Sequence, residues 1–145
     1  MNRRNALLTL LLATISTLLP VAALARRIGH KRKTDKRLLG TWRSNKELTL
    51  KRWQWAKKLD ESKKEEYENM FGKLEITYTS THINSEFEGV KSKNRYEVLG
   101  SDEYSVAIMI HGKPWDEIRH VIFDSPNQHH VLAGINLEYF TRINT

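Results

Sequence analysis

The chain from Leu38 onward predicts a mainly β fold: an antiparallel barrel of about eight strands with a one- or two-helix insertion after the first strand. Three observations carry this. From Lys73 to Ile143 apolar and polar residues alternate with a period of two, the signature of strands with one buried face. Short turn sequences such as Leu99-Gly100-Ser101-Asp102, His111-Gly112-Lys113-Pro114 and Ser125-Pro126-Asn127 cut the alternation at regular intervals. Before it, the period is helical rather than strand-like, and the Leu38–Arg43 strand stands ahead of that interruption.

The first strand reads Leu38-Leu39-Gly40-Thr41-Trp42-Arg43. Gly40 has no Cβ, so the chain can turn sharply there and pass close to a neighbouring strand. Trp42, two residues on, can aim its indole into one end of a barrel and plug it. In the insertion, Thr49 can cap a helix carrying Trp53, Ala56 and Leu59. Ser62 with Glu65 forms a capping box for a second helix with Tyr67, Met70 and Phe71, closed by Gly72. Then follow the strands. Leu74, Ile76 and Tyr78 share one face, as do Ile83, Ser85 and Phe87, then Tyr96 and Val98, then Tyr104, Val106, Ile108 and Ile110. Ile118 to Asp124, His129 to Ala133 and Leu137 to Ile143 complete about eight strands, enough to close around side chains or one small ligand.

Gly-x-Trp at the head of an all-β chain resembles the first-strand signature of lipocalins and their calycin relatives. In that pattern a basic residue on the last strand packs across the Trp, and the resemblance implies this role for Arg142, with Gly40, Trp42 and Arg142 forming the structural closure of the barrel. The paired helices resemble the lid of intracellular fatty-acid-binding proteins. The Thr-Asp-Tyr element, C-terminal helix and disulfides of longer lipocalins are absent, so the chain is most similar to short bacterial lipocalin-like domains, a largely uncharacterised family. The resemblance covers Leu38 to Ile143.

Met1 to Ala25 reads as a signal peptide: Arg3 and Arg4 form a charged head, Ala6 to Leu19 is an apolar run, and Ala23-Leu24-Ala25 is a cleavage site. Arg26 and Arg27 follow at once and disfavour a retained membrane anchor. The expected location is periplasmic or secreted, with the mature chain starting at Arg26. Residues 26–37 form a basic arm, expected to be a disordered tether, with seven Lys/Arg and one Asp. It explains the net charge of +7, since residues 38–145 hold 15 Lys/Arg and 16 Asp/Glu. The barrel domain, 38–145, is therefore not a nucleic-acid platform, and any anionic surface would be met by the arm. The absence of Cys excludes thiol nucleophiles, thiolate metal sites and a lipid-anchored Cys.

No nucleophile elbow and no glycine-rich phosphate loop is present, and no His pair has the i, i+4 spacing of helical zinc sites, so neither catalytic nor metal residues nor a cofactor are assigned. Of the six His, His129 and His130 would point to opposite faces of a strand, and His120 shares a face with Ile118 and Ile122 and is the candidate that a haem-binding barrel would use. The candidate cavity lining is Tyr78, Phe87, Tyr96, Tyr104, His120 and Tyr139. Apolar walls with a few phenols suit a small-molecule site, and the same side chains would equally fill a solid barrel. The expected function is thus binding or carrying a small hydrophobic molecule by a monomer. The alternative is a solid interaction module that docks a cell-envelope partner through the arm or the insertion, and a third is an enzyme on the same barrel.

Overall fold

The computed structural model describes residues 34–143. Eight strands form a closed antiparallel barrel in which each pairs with the next in sequence and the last pairs with the first. They are β1 (Gly40–Ser44), β2 (Glu75–Tyr78), β3 (His82–Phe87), β4 (Val90–Ser101), β5 (Ser105–His111), β6 (Glu117–Ser125), β7 (Gln128–Ala133) and β8 (Asn136–Ile143). Two helices, α1 (Lys46–Lys51) and α2 (Glu61–Met70), lie between β1 and β2. The barrel is therefore the eight-stranded fold expected, with its insertion in the expected place.

Cross-strand partners project to the same side, so the register tells which side chains share the interior. Trp42 pairs with Ile76 and Arg142, Tyr78 with Ile83, Tyr96 with Ile110, Val98 with Ile108, Val106 with Val121, and His129 with Phe140. Nearly all of these are buried, and they make one continuous core with Leu38 and Val131. Full burial of each large apolar side chain contributes roughly 1.5–3 kcal/mol.

Three expected interior positions lie elsewhere. On β6 the inward residues are Arg119, Val121 and Phe123, paired through Ile108↔Arg119 and Val106↔Val121, so His120 points outward and is exposed. Apolar residues occur at both parities of this strand, and alternation alone cannot choose between them. Tyr104 precedes β5: Asp102 accepts from the backbone N–H groups of Tyr104 (2.8 Å) and Ser105 (2.7 Å), and this turn swings the ring into solvent, 65% exposed. Tyr139 neighbours inward Phe140 and therefore faces outward, yet it is buried, because α1 covers it.

The insertion also differs in detail. Asn45, not Thr49, caps α1, accepting from the Leu48 N–H at 3.0 Å. Thr49 lies within α1, fully buried, where its hydroxyl accepts the Tyr139 N–H at 3.0 Å. The helix ends at Lys51, leaving Trp53, Ala56 and Leu59 in a non-helical link. Asp60 caps α2, and Ser62 bonds back to it. Gly72 follows the C-cap residue Phe71 with φ +86°, the left-handed geometry glycine tolerates.

The signal segment and arm residues 26–33 lie outside the described residues. The rest of the arm is folded structure, not tether. Arg37 is chelated by Asp35 (2.7 Å) and donates to the carbonyls of Asp102 (2.8 Å), Glu103 (2.7 Å) and Ser105 (3.2 Å), with its guanidinium 4.7 Å from the Phe123 ring centre. Asp35 is held below the usual carboxylate range, chiefly by that Arg37 hydrogen bond. A run of like charges hides a residue whose donors match three carbonyls on another loop. Arg37→Ala is expected to cost about 1–2 kcal/mol in urea denaturation, whereas deletion of residues 26–33 leaves the midpoint unchanged.

Candidate functional site

Strand direction divides the barrel into two ends. At one, the links 79–81, 102–104 and 126–127 surround the entry of the chain into β1; at the other lie the insertion and the β3–β4, β5–β6 and β7–β8 turns.

The first end is plugged. Trp42 is fully buried and its indole N–H donates to the Leu38 carbonyl at 2.8 Å. The Arg142 guanidinium lies 4.1 Å from the Trp42 ring centre and donates to the carbonyls of Leu39 (2.5 Å) and Arg37 (2.8 Å). Gly40 sits beneath it with φ +116°, and a Cβ there would come 2.8 Å from Arg142 Nη1. His129 packs against Trp42 (centroids 4.4 Å apart) and stacks on Phe140 (5.1 Å). Among the described residues neither His129 nitrogen has a hydrogen-bond partner, and burial above all pushes its pKa down to about 3.

At the opposite end inward positions reach solvent. Val90 and Ser92 belong to the inward set by their pairing with Phe87 and Ser85, yet both are exposed; Ser85, Phe87 and Asn94 are half-buried beside them. The Ser85 and Ser92 hydroxyls meet at 2.6 Å. Below this rim stands a polar group that no periodicity predicts. Arg119 projects inward, its Nε donates to Glu117 Oε1 at 2.9 Å, and its Nη2 lies 2.9 Å from the same oxygen in an ion pair. The remaining face of the guanidinium lies towards the Tyr78 phenol without reaching hydrogen-bond geometry, and the Tyr78 hydroxyl has no partner among the described residues. Burial raises the Tyr78 pKa. Arg119 remains a cation: burial opposes its charge, but Tyr78 and Glu117 outweigh burial and raise its pKa. Glu138, also inward, has its pKa raised by burial, an effect partly offset by the Ser44 hydroxyl donating at 2.7 Å.

Of the six candidate lining residues, Tyr78, Tyr96 and Phe87 lie on the inward face. Tyr96 packs edge-on against Tyr78 (5.8 Å) and donates its hydroxyl to the Thr79 carbonyl at 2.6 Å, and burial raises its pKa to about 12. Tyr104, His120 and Tyr139 are not brought to the interior; Tyr139 instead packs at a tilt against His130 and accepts from Arg52 at 3.1 Å beneath α1. Arg119 and Glu138 are the interior polar residues that sequence reading missed, with Glu117 holding Arg119 from the exposed rim. The available signal was a charge at an inward parity inside an apolar strand: Arg119 two residues before Val121 and in its phase, Glu138 between Leu137 and Tyr139.

Two histidines are occupied on the outer surface: His111 bridges Glu97 and Asp116, both at 3.1 Å, and His130 holds Asp124 at 2.8 Å. Among the described residues, no group of three or more His, Asp or Glu is placed to hold a metal ion, and no helix is long and apolar enough to cross a membrane. The chain matches no family model, no curated protein and no solved structure.

Proposed function

We propose that the chain is an exported lipocalin-like protein that binds or carries a small, mainly hydrophobic molecule at the open end of its barrel. The observation behind this reading is the inward Arg119 cation beside a buried Tyr78 hydroxyl that has no hydrogen-bond partner among the described residues, below the exposed rim. An unsatisfied buried hydroxyl costs roughly 1–3 kcal/mol, a cost that an incoming acceptor would relieve. Ile76, Ile83 and Ile110 supply apolar walls around it, while Ser85, Ser92 and Asn94 supply a polar rim. The N-terminal segment, with its charged head, apolar run and Ala-x-Ala site, supports export to the periplasm or medium.

The plugged half of the barrel supports a second reading, a solid module that docks a partner protein. The two separate on one measurement: native mass spectrometry of protein purified from its own host. Binding predicts a co-purified small molecule, released on unfolding. In titrations with the fluorescent sulfonate 1-anilinonaphthalene-8-sulfonate, Arg119→Met is expected to weaken binding about tenfold at unchanged melting temperature. No retained mass and no saturable probe binding would defeat the small-molecule reading.

A further inference from the structure

We infer that the open end of the barrel docks on an anionic phospholipid bilayer. The argument rests on the outer rim and is independent of any ligand inside. Each short turn at this end carries one strongly exposed apolar side chain: Val90 beside the β3–β4 turn (73% exposed), Trp115 in the β5–β6 turn (77%) and Ile135 in the β7–β8 turn (81%). The plugged end is built differently. Its links are Thr79-Ser80-Thr81, Asp102-Glu103-Tyr104 and Pro126-Asn127, with Tyr104 its only comparably exposed ring among the described residues. The asymmetry gives the molecule one wet end and one end tipped with apolar groups.

The insertion adds charge at the same place. Gln54 is tied to the β7–β8 hairpin: its N–H donates to Asn136 Oδ1 at 2.7 Å, and its carbonyl accepts from Asn136 Nδ2 at 3.2 Å. It stands at the middle of Lys51-Arg52-Trp53-Gln54-Trp55-Ala56-Lys57-Lys58, which holds four cations and no carboxylate. Trp53 is held by Phe71 (centroids 4.7 Å) and Trp55 by Tyr67 (6.5 Å), so both indoles are fixed and half-buried, while Lys51, Lys57 and Lys58 are exposed. Several nearby carboxylates are already engaged: Glu88 with Lys73, Glu61 with Lys64, Asp116 with His111 and Glu117 with Arg119. Glu65, Glu66 and Glu68 on α2 stay outside these ion pairs, so the excess of cations at this end is confined to the 51–58 stretch.

A bilayer suits this arrangement better than a protein does. The apolar groups stand singly on separate turn tips around a mouth, not as one continuous patch. A fluid interface moulds itself to isolated tips, and indoles seat at the headgroup level, whereas a protein partner needs a contiguous complementary surface. Lysines beside them are attracted by anionic lipid.

The test is co-sedimentation of the full mature chain with vesicles of phosphatidylcholine alone and with about one-third phosphatidylglycerol. Binding is expected only to the second. Lys57→Glu with Lys58→Glu, and separately Trp115→Ser with Ile135→Ser, should each lower partitioning at least about tenfold. All four positions are exposed, and unchanged near-ultraviolet circular dichroism verifies that the fold is kept. The intact basic arm makes the comparison decisive: full binding by both variants would place the lipid contact in the arm and overturn the inference. Failure of the unaltered chain to bind either vesicle would also overturn it and leave the rim to a protein partner.

Discussion

Trp42→Ala is expected to lower stability by about 3–5 kcal/mol, measured by urea denaturation at neutral pH. The indole is fully buried, and it contacts His129, Phe123 and the Arg142 guanidinium while donating to Leu38. Removing it opens a cavity at the plug and exposes Arg142 to a void, although three carbonyls would still hold that guanidinium. Arg142→Lys should cost less, about 1–2 kcal/mol, because an ammonium can neither lie flat on the ring nor reach several carbonyls at once. The double change should cost less than the two single costs added, since the side chains touch. Additive costs would show that the stacking contributes nothing beyond shared burial.

The second large effect is one of pH. His129 is neutral in the folded chain, with its pKa lowered to about 3 by burial and by the nearby charges of His130, Arg119 and Arg142. In the unfolded chain it takes a proton near 6.5. The unfolded state therefore binds more protons between these two values, and stability falls as pH drops through that window, by on the order of 4–5 kcal/mol in full. Above the unfolded value the contribution is flat. Glu138 has the opposite sense: its raised pKa means the folded state keeps a proton longer, so its contribution weakens the fold as pH rises through and just above the usual carboxylate range. His129→Leu should remove the first effect. It also replaces an unpartnered ring with an apolar group of similar size, so the variant should match or exceed the parent at neutral pH and exceed it clearly near pH 4. An unaltered pH slope in the variant would assign acid sensitivity to other groups.

The barrel was legible because its strands alternate cleanly where one face meets water. β2, β3 and β5 show it: Ile76 and Tyr78, Ile83, and Val106, Ile108 and Ile110 are buried where their phase predicts. Legibility failed where a second element covers the outside. Tyr139 is apolar and outward because α1 covers it, so β8 carries large rings at both parities. It failed again on β6, whose outer face bears the exposed Ile118 while its inner face bears Arg119. A strand with a charge inside and an isoleucine outside reads in reverse. The interior polar group escaped for that reason: Arg119, Tyr78 and Glu138 come from three strands, and only the register brings them together. Arg37 escaped because its role is set by carbonyls on the β4–β5 link, about 65 residues away, and backbone acceptors leave no mark in a sequence.

The pairing of β1 with β8 joins Trp42 to Arg142 across almost the whole folded chain. Bringing such distant segments together must overcome a large loop-closure entropy before any contact rewards it, so folding is governed by non-local pairing and is slow relative to hairpin formation. The six hairpins from β2 to β8 can zip successively while β1 joins β2 across the insertion, but the seam closes only after the last strand has emerged. Until then β1 and β8 each present a row of unpaired amides and carbonyls, an edge that could recruit a strand from another copy. Once the seam is shut no edge is left, and its amides exchange with solvent only when the whole barrel opens. The same seam is the place where a nascent or acid-loosened chain is most open to misassembly.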